Sequence, residues 1–188
     1  MKINAVVQTF TMINFDNNTR FKDYSMLCPC GTGLTYKLCC RPFILAENQA
    51  TSPEQLMRSR YSAYAVNEPE YIYQTYSLVS QAEQSIEDIK QWASETKWLK
   101  LIIHHTSDYK ADVANKDYAQ VEFSAFYQHL GRFWQMREKS NFILENNLWR
   151  YHDGDVSKSV EINKPKRNEV CICDSNKKFK HCCMKTLS

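Results

Sequence analysis

Eight cysteines, placed as two copies of one spacing, constrain this chain more than any other feature. Cys28-Pro29-Cys30 is followed after eight residues by Cys39-Cys40, and Cys171-Ile172-Cys173 after eight residues by Cys182-Cys183. No cysteine lies outside these two clusters. Three chemistries use four clustered thiols. Disulfides need an oxidising compartment, and Met1–Arg20 has neither the apolar run nor the cleavage site of a secretory leader. Adjacent cysteines such as Cys39 and Cys40 also bridge one another badly. Iron–sulfur clusters take four thiolates at other spacings. Zinc takes four thiolates in a closed tetrahedron with Zn–S of about 2.3 Å. Zinc is therefore the expected cofactor, one ion held by Cys28, Cys30, Cys39 and Cys40 and a second by Cys171, Cys173, Cys182 and Cys183. Four protein ligands leave no open position, so both ions are expected to be structural rather than catalytic.

The residues between the cysteines suit such a site. Gly31-Thr32-Gly33 after Cys30 permits left-handed backbone. In the second copy Asp174-Ser175-Asn176 takes its place, and Asp and Asn are the next residues to tolerate that conformation. His181 is a rival ligand in principle, but the repeat aligns it with Leu38 and gives the ligand positions to Cys182 and Cys183.

The segment between the clusters changes period partway. Ser52-Pro53-Glu54-Gln55 has the form of a capped helix start, with Leu56, Met57, Tyr61 and Tyr64 as its apolar stripe. A second helix is expected to begin at Asn67-Glu68-Pro69-Glu70 and run toward Tyr76, and a third to begin at Ser85-Ile86-Glu87-Asp88 with Ile86, Ile89, Trp92 and Ala93 on one face. Strands follow at Leu99–Thr106, Tyr118–His129, Arg132–Leu144 and Trp149–His152, with turns at His129-Leu130-Gly131-Arg132 and Asn146-Asn147. Helices followed by antiparallel strands give an α+β class, a curved sheet packed on helices with a concave pocket. A composition that is 43% hydrophobic and 13% aromatic supports a packed core. No apolar run approaches the roughly 18 residues of a membrane span, so a cytoplasmic location is expected. The expected organisation is an N-terminal extension over residues 1–26, a knuckle over 27–46, the α+β domain over 47–157, and a basic tail with the second knuckle over 158–188.

From Lys158 onward eight Lys and Arg face three Asp and Glu. Such a tail attracts acidic proteins, RNA or anionic lipid. Lys177, Lys178, Phe179 and Lys180 form its densest run and are the expected partner contact.

Both clusters resemble the SEC-C motif, C-P-C-G-S-G-K-x-Y-K-x-C-C, found at the C-terminus of the preprotein translocase motor SecA and in many bacterial proteins. The first copy, residues 28–40, matches closely. The second departs at Ile172, Asp174 and Asn176 but keeps its cysteines, Lys177, Phe179 in the aromatic slot, and Lys180. The middle is similar to the YchJ family through Leu56-Met57-Arg58-Ser59-Arg60-Tyr61-Ser62-Ala63-Tyr64, Tyr71, Thr75, Tyr76, Glu138, Ser140, Phe142, Trp149-Arg150-Tyr151 and Asp153-Gly154. Arg137 stands where many relatives have His. The resemblance runs from about Leu27 to the C-terminus. It implies a middle domain with the cone-shaped fold of nuclear transport factor two, and no defined activity.

Three functions are then in view. A zinc-dependent protein-interaction module would use the second knuckle against an acidic protein face or a ribosomal surface, while the first braces the domain through Arg41-Pro42-Phe43. A ligand-binding protein or enzyme would use the middle pocket, with His104, His105, Glu122, His129, Arg137 and Glu138 as candidate polar groups. Against this, His104 and His105 should point to opposite faces, Glu122 and Arg137 suit a cross-strand pair, and tryptophans such as Trp92, Trp98, Trp134 or Trp149 can fill the space. Arg58 and Arg60 suit anchoring of the helix to a loop or knuckle better than phosphate binding. No nucleophile elbow, phosphate loop or paired-carboxylate motif appears, so catalysis is not expected. RNA binding through the tail ranks last, because Phe179 is the only aromatic among its lysines.

Overall fold

A computed structural model describes residues 26–107, 110–111 and 117–186; the N-terminal extension expected from the sequence lies almost wholly outside them. Among the described residues five α-helices precede the sheet: α1 Arg41–Ile44, α2 Pro53–Val66, α3 Pro69–Gln74, α4 Leu78–Gln81 and α5 Ile86–Glu95. The strands are β1 Thr96–Thr106, β2 Lys110–Ala111, β3 Asp117–His129, β4 Arg132–Glu145 and β5 Leu148–Ile162. They form one antiparallel sheet in the order β1-β3-β4-β5, with β2 paired to β3. The α+β class and the antiparallel order agree with the sequence reading.

The helix starts form for the reasons the sequence offers. Ser52 accepts a hydrogen bond from the Gln55 backbone N–H at 3.2 Å, and Gln55 Oε1 reaches back to the Thr51 N–H at 2.9 Å. Ser85 caps α5 in the same way, through Asp88 N–H. The β3–β4 turn sets Leu130 and Gly131 at φ 49° and 77°, and the β4–β5 turn sets Asn146 and Asn147 at 52° and 64°. Two consecutive left-handed residues give the twist that a two-residue hairpin needs. Strand β5 runs to Ile162, well past the expected Trp149–His152. Its outer half is largely exposed at the sheet edge, where Val156, Val160 and Ile162 alternate with polar residues, a period-two signal that the sequence reading does not use.

The sheet has two covered faces. On one, α2 lays Leu56, Met57 and Tyr61 onto Leu101, Val121, Phe123, Ala125 and Phe142. On the other, Leu99 and Phe133 pack with Cys171, Phe179 and Cys183 of the second knuckle. A register irregularity between Trp98 and Lys100 makes this possible. It lets Leu99 join that second cluster while Lys100, the next residue, reaches Asp174 of the same knuckle with its Nζ at 2.6 Å.

Candidate metal centres

Each cysteine cluster is built by the same backbone. Cys28 N–H donates to Leu34 O at 2.8 Å and Tyr36 N–H to Met26 O at 2.8 Å; at equivalent positions Cys171 N–H donates to Lys177 O at 2.9 Å and Phe179 N–H to Glu169 O at 2.8 Å. A single turn of 3-10 helix, Tyr36–Leu38 in one copy and Phe179–His181 in the other, then delivers the adjacent cysteine pair. Gly31 and Gly33 take φ of 80° and 81°, and Asp174 and Asn176 take 56° and 55°. The substitution in the second copy thus preserves the turn, as expected.

The four Sγ atoms of each cluster lie within 4.8 Å of one another. Separations are 3.5 Å for Cys30–Cys39, 3.8 Å for Cys39–Cys40, 3.5 Å for Cys171–Cys173 and 3.4 Å for Cys173–Cys182. All eight cysteines are free thiols, and these gaps are far beyond the S–S bond of about 2.05 Å. The corners of a tetrahedron with bonds of about 2.3 Å lie about 3.8 Å apart. Both donor sets therefore fit one tetrahedral thiophilic ion, and either can hold a metal. His181 is exposed and stands outside its cluster.

The thiols do not share protons evenly. Hydrogen bonding from Cys28 and then Cys40 lowers the pKa of Cys30, while bonding to Cys28 raises that of Cys40. Burial first of all pushes Cys39 up to about 11 and also raises Cys183. Crowded sulfurs cannot all ionise by themselves; a divalent cation offsets the charge and displaces the remaining protons. Each outer sulfur also meets a hydroxyl two residues beyond the second cysteine. Thr32 Oγ1 is 3.3 Å from Cys39 Sγ and Ser175 Oγ is 3.1 Å from Cys182 Sγ. Sequence reasoning named these residues only as loop members, although their equivalent positions in the repeat were the available signal.

The knuckles are seated differently. The first packs Tyr36 near Ile44 and Val66, and Arg58 donates from Nη1 to Cys30 O at 2.8 Å while pairing with Glu54. Arg58 thus anchors helix to knuckle, as expected. These contacts involve Tyr36, Ile44 and Arg58, where the sequence reading names Arg41-Pro42-Phe43. The second knuckle plugs the sheet with Phe179, which is 1% exposed and stands edge-on to Phe133 with ring centroids 6.1 Å apart. This corrects one sequence expectation: Phe179 was grouped with the partner contacts, but its aromatic slot faces inward and serves seating. Lys177 and Lys178 are exposed and Lys180 half-buried. At the positions equivalent to Lys177 and His181 the first knuckle exposes Leu34 and Leu38.

The candidate polar groups of the middle domain do not converge. Arg137 pairs with Glu122 at 2.7 Å, the cross-strand pair foreseen. The strand alternation expected to part His104 and His105 is interrupted by an irregularity between Ile103 and His105; His104 bonds Ser124 at 2.8 Å, and both histidines are exposed. His129 meets Trp92 and Thr96. Only Glu138 of that set lines the cavity between α2 and the sheet, together with Arg60 and Tyr151, which were not expected there.

Fold and site define a cysteine-rich protein with metal-binding groups at both ends of a mixed helix and antiparallel-sheet domain. The family model for the YchJ middle NTF2-like domain matches residues 52–154, and the SEC-C motif matches residues 27–42 and 167–185. The chain belongs to the YchJ family, whose curated members carry the designation UPF0225. It is 39% identical to a UPF0225 protein of Vibrio vulnificus over 168 residues, covering 83% of this chain and 97% of the relative, and 36% identical to one of Actinobacillus succinogenes over 158 residues, covering 84% and 96%. Among solved structures it is similar to a SEC-C motif containing protein from Rhodopseudomonas palustris, with a TM-score of 0.63 and 30% identity over 71% of this chain and all of that one. A second, from Psychrobacter arcticus, gives 0.60 and 31% over 86% and 97%. Among the described residues no helix is long and apolar enough to cross a membrane.

Proposed function

We propose that this chain is a two-zinc protein-interaction module in which the ions are structural and the second knuckle presents the contact surface. The observation that carries the reading is the pair of closed four-sulfur sets, each completed by the chain itself. A complete donor set supports zinc over chemistry at the metal, because no coordination position is left for substrate. What each ion then does is hold a small loop in one shape. In the second knuckle that loop turns Lys177 and Lys178 outward, with Lys180 at their flank. Clustered cations on a rigid loop suit an acidic protein face or a ribosomal surface. The first knuckle acts as a brace on α2.

Elemental analysis of protein purified under reducing conditions tests the metal assignment: two zinc ions per chain, falling to about one in Cys183→Ser. Iron, or no metal, overturns it. Partner capture and ribosome co-sedimentation with the triple variant Lys177→Glu, Lys178→Glu, Lys180→Glu test the surface. Association should be lost while both zinc ions stay; capture that survives the charge reversal removes the assignment.

A further inference from the structure

Between α2, α5 and the sheet lies a cavity of about 220 Å³ that neither knuckle touches. Its apolar wall is formed by Trp92, Trp98, Tyr64, Met57 and Met136. The tryptophans border the space without filling it. Its polar end is formed by Arg60 and Glu138, which are 4% and 8% exposed. These two buried groups make no ion pair with one another. Arg60 Nη1 donates to Ile72 O and to Thr75 Oγ1, each at 2.6 Å, and its guanidinium lies over the Tyr76 and Tyr151 rings at 4.2 and 4.7 Å. Glu138 Oε1 accepts from Ser140 at 2.6 Å and Tyr151 at 2.9 Å, and among the described residues no donor meets its second oxygen.

Gly154 shows that the polar end is built for. A Cβ there would stand 2.7 Å from the Tyr151 hydroxyl and closer still to Glu138 Oε1. The chain gives up a side chain on β5 so that the carboxyl and the phenol can meet beneath the cavity.

The geometry points to a binding site for a small uncharged single-ring aromatic ligand bearing a carboxamide-type edge. Size sets the first limit. A dry cavity of about 150 Å³ accepts benzene, and drug-sized sites begin at about 300 Å³, so 220 Å³ suits one substituted ring. Charge sets the second. A cationic ligand would lie against Arg60 and an anionic one against Glu138, each in a site with little water to screen it. A carboxamide carries an acceptor for the guanidinium N–H groups of Arg60 beyond Nη1 and a donor for the free carboxyl oxygen of Glu138, while its ring rests on the aromatic wall.

Three probes of equal shape separate the possibilities on the full, zinc-loaded chain: benzamide, benzoate and benzamidine, followed by tryptophan emission and ligand-observed NMR. Benzamide should bind saturably with a Kd on the order of 1 mM or below, at least about tenfold tighter than either charged analogue. Met136→Trp, which fills the cavity, should abolish binding. Glu138→Gln should weaken benzamide and strengthen benzoate, a reversal that a merely structural carboxyl would not produce. Benzamide that fails to bind, equal affinity for all three probes, or unchanged selectivity in Glu138→Gln overturns the site.

Discussion

The Thr32 hydroxyl lies 3.3 Å from Cys39 Sγ, and the repeat reproduces the contact with Ser175 and Cys182. Cys39 and Cys182 are also the more exposed members of their adjacent pairs. A hydroxyl donor to the outer sulfur shields the ligand that solvent reaches first and steadies its charge. Thr32→Val and Ser175→Ala should each weaken metal retention by roughly tenfold at the affected knuckle, read by competition with a chelator, with the fold intact.

Metal affinity should rise with pH. Burial, above all, holds the Cys39 thiol up to about 11, so without an ion it keeps its proton at neutral pH. Binding must expel that proton, and alkaline conditions remove it in advance. Acidification acts the other way, by roughly tenfold per pH unit for each proton released. Titrations in buffers of differing ionisation enthalpy would count the protons.

Phe179→Ala should unseat the second knuckle. The ring is buried against Phe133 and Leu99, and emptying such a site costs about 3 kcal/mol or more. A lower urea midpoint is expected, whereas Lys177→Ala, at an exposed position, should leave the midpoint within about 0.5 kcal/mol.

Gly154→Ala should destabilise the middle domain, because the new methyl meets the Tyr151 hydroxyl and Glu138 Oε1 at less than contact distance. The paired variant Glu138→Ala, Gly154→Ala frees the space and should recover part of the loss, a coupling that thermal melts of the single and double variants would show.

Much of this was legible beforehand because it rests on local rules. Cysteine spacing located both donor sets, the Ser52 and Ser85 caps located α2 and α5, and the alternation around Val121 and Phe123 gave β3 its inner face. What escaped depends on contacts between distant residues. The outer half of β5 is mostly polar, with Val156, Val160 and Ile162 set among Asp155, Ser157, Lys158, Ser159 and Glu161, and Gln135 to Ser140 on β4 supplies its partners. Arg60 read as an anchor and Tyr151 as a strand residue, and only the folded chain brings both beside Glu138 at a cavity. Phe179 looked like part of a basic surface because a sequence does not reveal which side of a four-residue run faces the sheet.

The seat of that ring turns metal content into surface chemistry. Cys171 and Cys183 belong to the same packed cluster as Leu99, Phe133 and Phe179. Were the second site stripped or oxidised, the plug would be expected to lose its shape and uncover Phe133 and Leu99 on the sheet. Such exposed apolar residues are what chaperones and proteases recognise. On the proposed function, the cell would then read a metal-free copy as a damaged one, and metal supply would govern how long each molecule persists.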